Sequence, residues 1–275
     1  MASRINTILI IGGTAGIGEA FVRRFHSLGK KVIVTGRSQA KLQALKKDLD
    51  GITTLQFDIT DLAALPTHVT SILKDFPDLD SVVINSGIQR SFNLFEPSSI
   101  TPEDIRGEID TNLTAPTLLA RLFAPHLLAL ALKGTKTTLF LTSSSIAYVP
   151  LAFYPTYCST KAGIHALTLI IRQQLAFAGE EAKKNMNVVE IVPPYVDTGL
   201  DAAHREATIA MQGGPEKAFP AMPLQEYVDK FFAALEQVES DGSLKKEIGV
   251  GFGEMVAETW RGSFGKVYEQ MGLTT

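Results

Sequence analysis

Thr7-Ile8-Leu9-Ile10-Ile11-Gly12-Gly13-Thr14-Ala15-Gly16-Ile17-Gly18 is the stretch that decides the fold. Five apolar residues make a run of strand length, a glycine-rich turn follows, and Phe21, Val22 and Phe25 continue at helical spacing. Strand, turn and helix in that order form the head of a βαβ unit. Such a turn brings backbone N–H groups and the positive end of a helix close to a phosphate. Glycines alone would also suit a turn that merely needs flexible residues. The strand before and the helix after favour dinucleotide binding.

The same punctuation recurs downstream. Short apolar runs at 31–35, 53–57, 81–85, 137–142, 187–192 and 247–251 alternate with helical patterns. That alternation argues for parallel strands covered on both faces. The expected fold is α/β: a doubly wound, Rossmann-type, mostly parallel seven-stranded sheet flanked by helices, with 1–275 forming one domain. Ligands in such sheets bind at the carboxyl ends of the strands, near the point where strand order reverses.

A second signal stands in Tyr157-Cys158-Ser159-Thr160-Lys161. Residues four apart lie one above the other on a helix, so a phenol and an ammonium share a face. A free phenol has a pKa near ~10, which makes it a poor proton shuttle at neutral pH. A neighbouring cation favours the phenolate and is expected to lower that value. A tyrosine tuned this way serves as general acid to a carbonyl oxygen or base to an alcohol. Ser143-Ser144-Ser145 follows the buried-strand run Leu139-Phe140-Leu141, and Ser144 lies thirteen positions before the tyrosine.

The spacing Gly12-x-x-x-Gly16-x-Gly18, taken with Tyr157-x-x-x-Lys161, resembles the short-chain dehydrogenase/reductase family in its one-domain form. The resemblance runs from residue 7 to roughly 200. Asn85-Ser86-Gly87 resembles the family's Asn-Asn-Ala-Gly, and Pro193-Pro194-Tyr195-Val196-Asp197-Thr198 its segment under the nicotinamide. The likeness implies a catalytic set of Asn112, Ser144, Tyr157 and Lys161. Ser144 would hold the substrate oxygen, Lys161 would also grip the nicotinamide ribose, and Asn112 would position a water for proton relay. It further implies that Gly12, Thr14, Gly16, Ile17, Gly18, Asp58, Asn85, Val196 and Thr198, with Tyr157 and Lys161, hold the cofactor, Asp58 meeting the adenine.

Ile11 replaces the family's threonine, Ser86 an asparagine or alanine-type neighbour, and Pro194 a glycine. Pro193-Pro194 together with Tyr148-Val149-Pro150-Leu151-Ala152 looks like the DltE-type oxidoreductase branch.

The strand Lys31-Val32-Ile33-Val34-Thr35 ends at Gly36-Arg37-Ser38, with no Asp or Glu from 35 to 38. An acid near that point would accept from the ribose 2′-hydroxyl of NAD. Arg37 instead offers a planar fork to a 2′-phosphate, and Ser38 another donor. NADP(H) is the expected cofactor, although Ala15 stands where many NADP-using relatives carry a basic residue.

With 45% hydrophobic residues and 20% charged, the chain has the composition of a globular protein with a large core. A net charge of −3 and no basic stripe give nucleic-acid binding nothing to rest on. The first strand begins within seven residues of Met1, so no signal peptide and a cytoplasmic location are expected. The apolar stretch 113–132 holds Pro116, Arg121, Pro125 and His126, and reads as a buried or interface helix rather than a membrane span. The single cysteine, Cys158, is read as packing. The five histidines show no metal spacing.

Glycines and prolines crowd the segment 197–223, which is expected to be a substrate lid. Phe219, Met211 and Met222 would line an apolar pocket or anchor the loop. Tyr148, Phe153, Tyr154 and Tyr195 are expected to line the substrate pocket, and His204 to lie on the surface. Glu190 is read as a buried acid in a structural hydrogen bond, and His165 as facing another helix or subunit. Family resemblance implies a homodimer or homotetramer packed through helices 112–132 and 157–177.

The expected activity is hydride transfer between NADP(H) and a carbonyl/alcohol pair, the substrate being a medium-sized apolar small molecule. The alternative is a non-reductive role, either isomerisation or cyclisation in the same pocket, or a nucleotide-binding scaffold.

Overall fold

The computed structural model describes residues 4–275; residues 1–3 of the expected 1–275 unit lie outside the described residues. Strands β1 (Thr7–Ile11), β2 (Lys31–Gly36), β3 (Thr53–Gln56), β4 (Ser81–Ile84), β5 (Thr137–Thr142), β6 (Met186–Val192) and, after two short strands, β9 (Glu247–Gly249) form one parallel sheet. Its order is β3-β2-β1-β4-β5-β6-β9. Order reverses between β1 and β4, so a crevice opens at their carboxyl ends. A second ladder pairs β7 (Val196–Asp197) with β8 (Met222–Pro223), tying the two ends of the 197–223 segment together.

Helices α1 (Gly16–Ser27), α2 (Gln39–Asp48), α3 (Leu65–Asp75), α4 (Pro102–Ile109), α5 (Ala115–Ala131) and α6 (Pro155–Ala176) cross between the strands. α7 (Glu180–Asn185), α8 (Arg205–Met211), α9 (Leu224–Glu236) and α10 (Phe252–Trp260) follow. The strand alternation of side chains explains the layering. Along β1, Ile8 and Ile10 join Phe21, Phe25, Phe231 and Phe232 on one face of the sheet. Leu9 and Ile11 join Leu119, Phe123, Leu139 and Leu141 on the other. Phe21 and Phe231 stack with centroids 4.4 Å apart, and each fully buried side chain of this size contributes about 1.5–3 kcal/mol.

The expected strands at 53–57, 81–85 and 247–251 end earlier, at Gln56, Ile84 and Gly249. Phe57 and Asn85 line the cleft from the loops that follow, and Val250 packs in the core. The helical stretch Pro102–Ala131 is long and apolar enough to cross a membrane by composition. Its Leu119, Phe123 and Leu127 are fully buried against the sheet.

Candidate active site

A cleft of about 1390 Å³ runs along the carboxyl ends of the strands, from α2 past the glycine turn to α8. Gly12 has φ +81°, and a Cβ there would lie 2.6 Å from Ser86 Oγ. A Cβ on Gly18 would be driven into the Gly12 carbonyl oxygen. Both positions need glycine because the turn folds back on itself at van der Waals distance. α1 has no side-chain cap at Ala15, and Gly12, Thr14, Gly16 and Ile17 line the cleft beside its uncapped first turn. Free N–H groups at a helix start suit a pyrophosphate. The residues present therefore fit a dinucleotide on the geometry of this turn.

The β2 end of the cleft is cationic. Arg37, Ser38 and Lys41 line it, with Asp58 opposite; Arg37 Nη1 stands 3.9 Å from Asp58 Oδ2. Ser38 caps α2 by accepting from the Lys41 N–H at 3.3 Å. Asp58 Oδ1 accepts from Thr60 N–H and hydroxyl at 2.9 and 2.8 Å, which fixes its carboxylate. Lys41 escaped the sequence reading. Its signal was its place three residues after the cap, in the first turn of a helix that starts at a phosphate-sized pocket.

Ser144, Tyr157 and Lys161 all line the same cleft. Asn112 does not: it is fully buried behind the wall, its Oδ1 accepting from Ile88 N–H at 2.9 Å and its Nδ2 donating to Ile88 O at 2.8 Å. It belongs to a π-helical turn, Asp110–Thr114, between α4 and α5; one-turn π insertions of this kind are frequent at functional sites. Asn112 and Lys161 converge on Gly87, where a Cβ would lie 3.4 Å from Asn112 Oδ1 and 3.6 Å from Lys161 Nζ. Lys161 Nζ donates to Thr142 O at 2.9 Å; Thr142 Oγ1 donates to Asn85 Oδ1 at 3.2 Å. Asn85 Nδ2 then reaches Gly12 O at 3.4 Å, so the lysine is linked to the glycine turn through the ends of β5 and β4.

The serine turn is fastened from both sides. Ser143 Oγ donates to Glu190 Oε1 at 2.5 Å, and Ser145 N–H donates to Pro193 O at 2.9 Å. Ser144 between them is extended and buried, at the start of a 3-10 turn Ser145–Ala147. Glu190 is thus the structural hydrogen-bonding acid expected, and its Oε2 also holds His165 Nδ1 at 2.8 Å. His165 faces α10 of its own chain, with Trp260 edge-on at 4.8 Å.

One electrostatic expectation is reversed. Lys161 Nζ does stand 5.4 Å from the Tyr157 ring centroid. Even so, burial pushes the phenol above its ordinary value, and the nearby Glu108 carboxylate adds to the rise. Burial also draws Lys161 down to about 8, Glu108 acting in the opposite direction. The ammonium spends its contact on the Thr142 carbonyl, and desolvation is the largest influence on both groups. Glu108 was not singled out from sequence. It is fully buried one turn before Asn112, accepts Arg90 N–H at 3.0 Å, and is raised to about 7 by burial.

The pocket wall beyond Tyr157 holds Phe153, Tyr154 and Tyr195 as expected, but not Tyr148. Tyr148 turns inward and packs on the His165 ring at 4.6 Å, because the 3-10 turn before it rotates the side chain away from the cleft. His204 is half-buried rather than superficial: Nε2 stands 3.2 Å from Gln89 Oε1 and the ring meets Tyr154 edge-on at 5.6 Å. Met211 does not line the cleft, whereas Phe219, itself 57% exposed, and Met222 do. Val196 and Thr198 line it too, with Phe252 added from the carboxyl-terminal region. Cys158 packs against Leu151, as its single occurrence suggested.

Fold and cleft define a doubly wound dinucleotide-type α/β protein with a tyrosine–lysine pair beside the glycine turn. The short chain dehydrogenase family model matches residues 6–208, and the chain belongs to that family, whose members are NAD(P)-dependent oxidoreductases. It is 35% identical over 266 residues to an uncharacterized oxidoreductase, DltE, of Bacillus subtilis (strain 168), covering 97% of this chain and 96% of that one. It is 29% identical over 212 residues to the NADP-dependent 3-hydroxy acid dehydrogenase YdfG of Salmonella typhi, covering 77% and 79%. In fold it is similar to a short-chain dehydrogenase from Sphingobium yanoikuyae in complex with NADPH, with a TM-score of 0.75, 23% identity and coverage of 98% and 95%.

Proposed function

We propose that the chain reduces a carbonyl compound with NADPH, reversibly, with Tyr157 as general acid/base and residues 1–275 acting as one catalytic unit. The observation that carries this reading is the shared cleft: Ser144, Tyr157 and Lys161 open onto the same space as the glycine turn. NADPH, held by the glycine turn, Arg37 and Lys161, would supply the hydride for the new C–H bond when bound. Tyr157 gives its phenolic proton to the carbonyl oxygen as the C=O π bond breaks. Ser144 Oγ donates a hydrogen bond to that oxygen and stabilises its developing charge. Lys161 holds the ribose hydroxyls and supplies positive charge beside the phenol. Asn112, through Ile88 and Gly87, keeps the wall near Lys161 in place for a relay water. The 197–223 segment closes over the substrate as a lid, and a cytoplasmic location belongs to the same reading.

NADP(H) is preferred over NAD(H) because Arg37, Ser38 and Lys41 meet the 2′-phosphate; the NADP-dependent relative supports this choice. Arg37→Asp is expected to weaken NADPH binding at least about tenfold and to leave NADH less affected. Fluorescence titration with both cofactors checks it, and an unchanged NADPH affinity refutes the assignment.

We also propose assembly through α5 and α6, which carry the partly buried Leu118, Leu122, Leu167 and Ile171 at the margin of the core. Light scattering behind size exclusion is expected to return two or four times the monomer mass. A monomer at micromolar concentration contradicts it.

A further inference from the structure

Resting on the reductase reading, we infer that the substrate compartment is selective against anions and takes neutral carbonyl compounds rather than keto or hydroxy carboxylates. The cation on the α8 side of the cleft wall is Arg205, and it is already committed. Its Nη2 donates to Asp201 Oδ1 at 2.7 Å and to Asp197 Oδ1 at 2.9 Å; its Nε donates to Asp201 Oδ2 at 3.1 Å. Arg205 and Asp201 line the cleft and cancel one another, and Asp197, outside the lining and 58% exposed, takes a further share of the guanidinium, so the group offers the cleft no free positive charge.

Asp201 cannot swing aside to free the arginine. Its side chain is 4% exposed, and Tyr195 donates its hydroxyl to Oδ2 at 2.6 Å. Burial alone would raise Asp201, but the bonds from Arg205 and Tyr195 outweigh it and hold the carboxyl below its ordinary value. It stays ionised. Glu226 lines the same cleft and is paired with Lys230 Nζ at 2.6 Å, so that cation too is committed.

The other lining cations are spoken for elsewhere. Lys161 is held by Thr142 O, and Arg37 and Lys41 lie at the β2 end, beyond the glycine turn. The cleft is also lined by the apolar Ile88, Val149, Leu151, Phe153, Ile209 and Phe219. A carboxylate placed there would lose its hydration and find no free cation to replace it, which is unfavourable. A ketone or ester loses little. The YdfG relative is named for acting on 3-hydroxy acids, a substrate class that is not extended to the present chain.

The test compares NADPH-dependent reduction of ethyl acetoacetate and acetoacetate, which share a ketone and differ in charge, at pH 7. The ester is expected to have a kcat/KM about 100-fold above the acid. Asp197→Asn, at a side chain 58% exposed, should raise the acid-to-ester ratio about tenfold, and Asp201→Asn should raise it further if that buried variant folds. Preference for the acid, or a ratio unmoved by D197N, overturns the inference and leaves the reductase reading standing. Reduction of neither compound, or of any neutral ketone or aldehyde in a panel, despite tight NADPH binding removes the reductase reading itself, and this inference falls with it.

Discussion

Tyr157→Phe is expected to lower kcat/KM for carbonyl reduction about a thousandfold while NADPH affinity stays within about threefold of wild type. The exchange removes one oxygen from a side chain that is 7% exposed and keeps the ring that packs with Tyr154 and Cys158. Folding should therefore be unaffected, and the loss isolates proton transfer. Positioned acids contribute typically 10²–10⁴-fold. The cofactor contacts argued above come from the glycine turn, Arg37 and Lys161, so binding should persist. Stopped-flow NADPH oxidation with a neutral ketone checks the rate, and fluorescence titration the affinity.

The pH dependence follows from the same pair. Lys161, drawn down by burial to about 8, carries its charge below that value and loses it above. Reduction by the wild type should therefore fall as pH rises through about 8. The limb should disappear in Lys161→Met, which should also be slow at every pH. A Tyr157→Phe enzyme with wild-type turnover would end the assignment of the acid.

The second large effect is expected at Gly18. Gly18→Val should weaken NADPH binding at least about tenfold and lower Tm by several degrees, because the new side chain collides with the Gly12 carbonyl. Overpacking of this kind costs about 1–3 kcal/mol, and here the displaced atoms belong to the phosphate-facing turn itself. Calorimetric titration and a thermal melt separate the two consequences. Unaltered affinity would mean that the turn does not hold the cofactor. Loss of Tm without loss of affinity would confine the glycine's role to packing.

Much of this was legible in the sequence because the signals were local. Thr7–Ile11 and Thr137–Thr142 are buried throughout, and their apolar runs are what a strand covered on both faces requires. Gly12, Gly16 and Gly18 announce themselves by spacing, and Tyr157 with Lys161 by the helix repeat. What failed depended on direction. Tyr148 looked like a pocket residue, but a short 3-10 turn sends its ring towards His165. The π-helical turn that carries Asn112, and the clasp of its carboxamide on Ile88, were likewise not visible in the spacing.

Long-range electrostatics were the least legible. Nothing near Lys161 in sequence shows that Glu108 stands beside it, or that burial dominates the protonation of both Lys161 and Tyr157. His204 and Gln89 are 115 positions apart and meet only because the 197–223 segment folds over the β4 side of the cleft. Lys41 and Arg205 gained meaning only once the cleft joined them to residues far along the chain.

The hydride path is tested most directly with NADPH carrying deuterium at the transferable C4 position, mixed with the protein and a neutral ketone, and the alcohol analysed by mass spectrometry and NMR. One deuterium on the carbinol carbon, with an equivalent of NADP+ formed, is the result predicted. An alcohol without deuterium, or a ketone converted while the cofactor stays reduced, would contradict it.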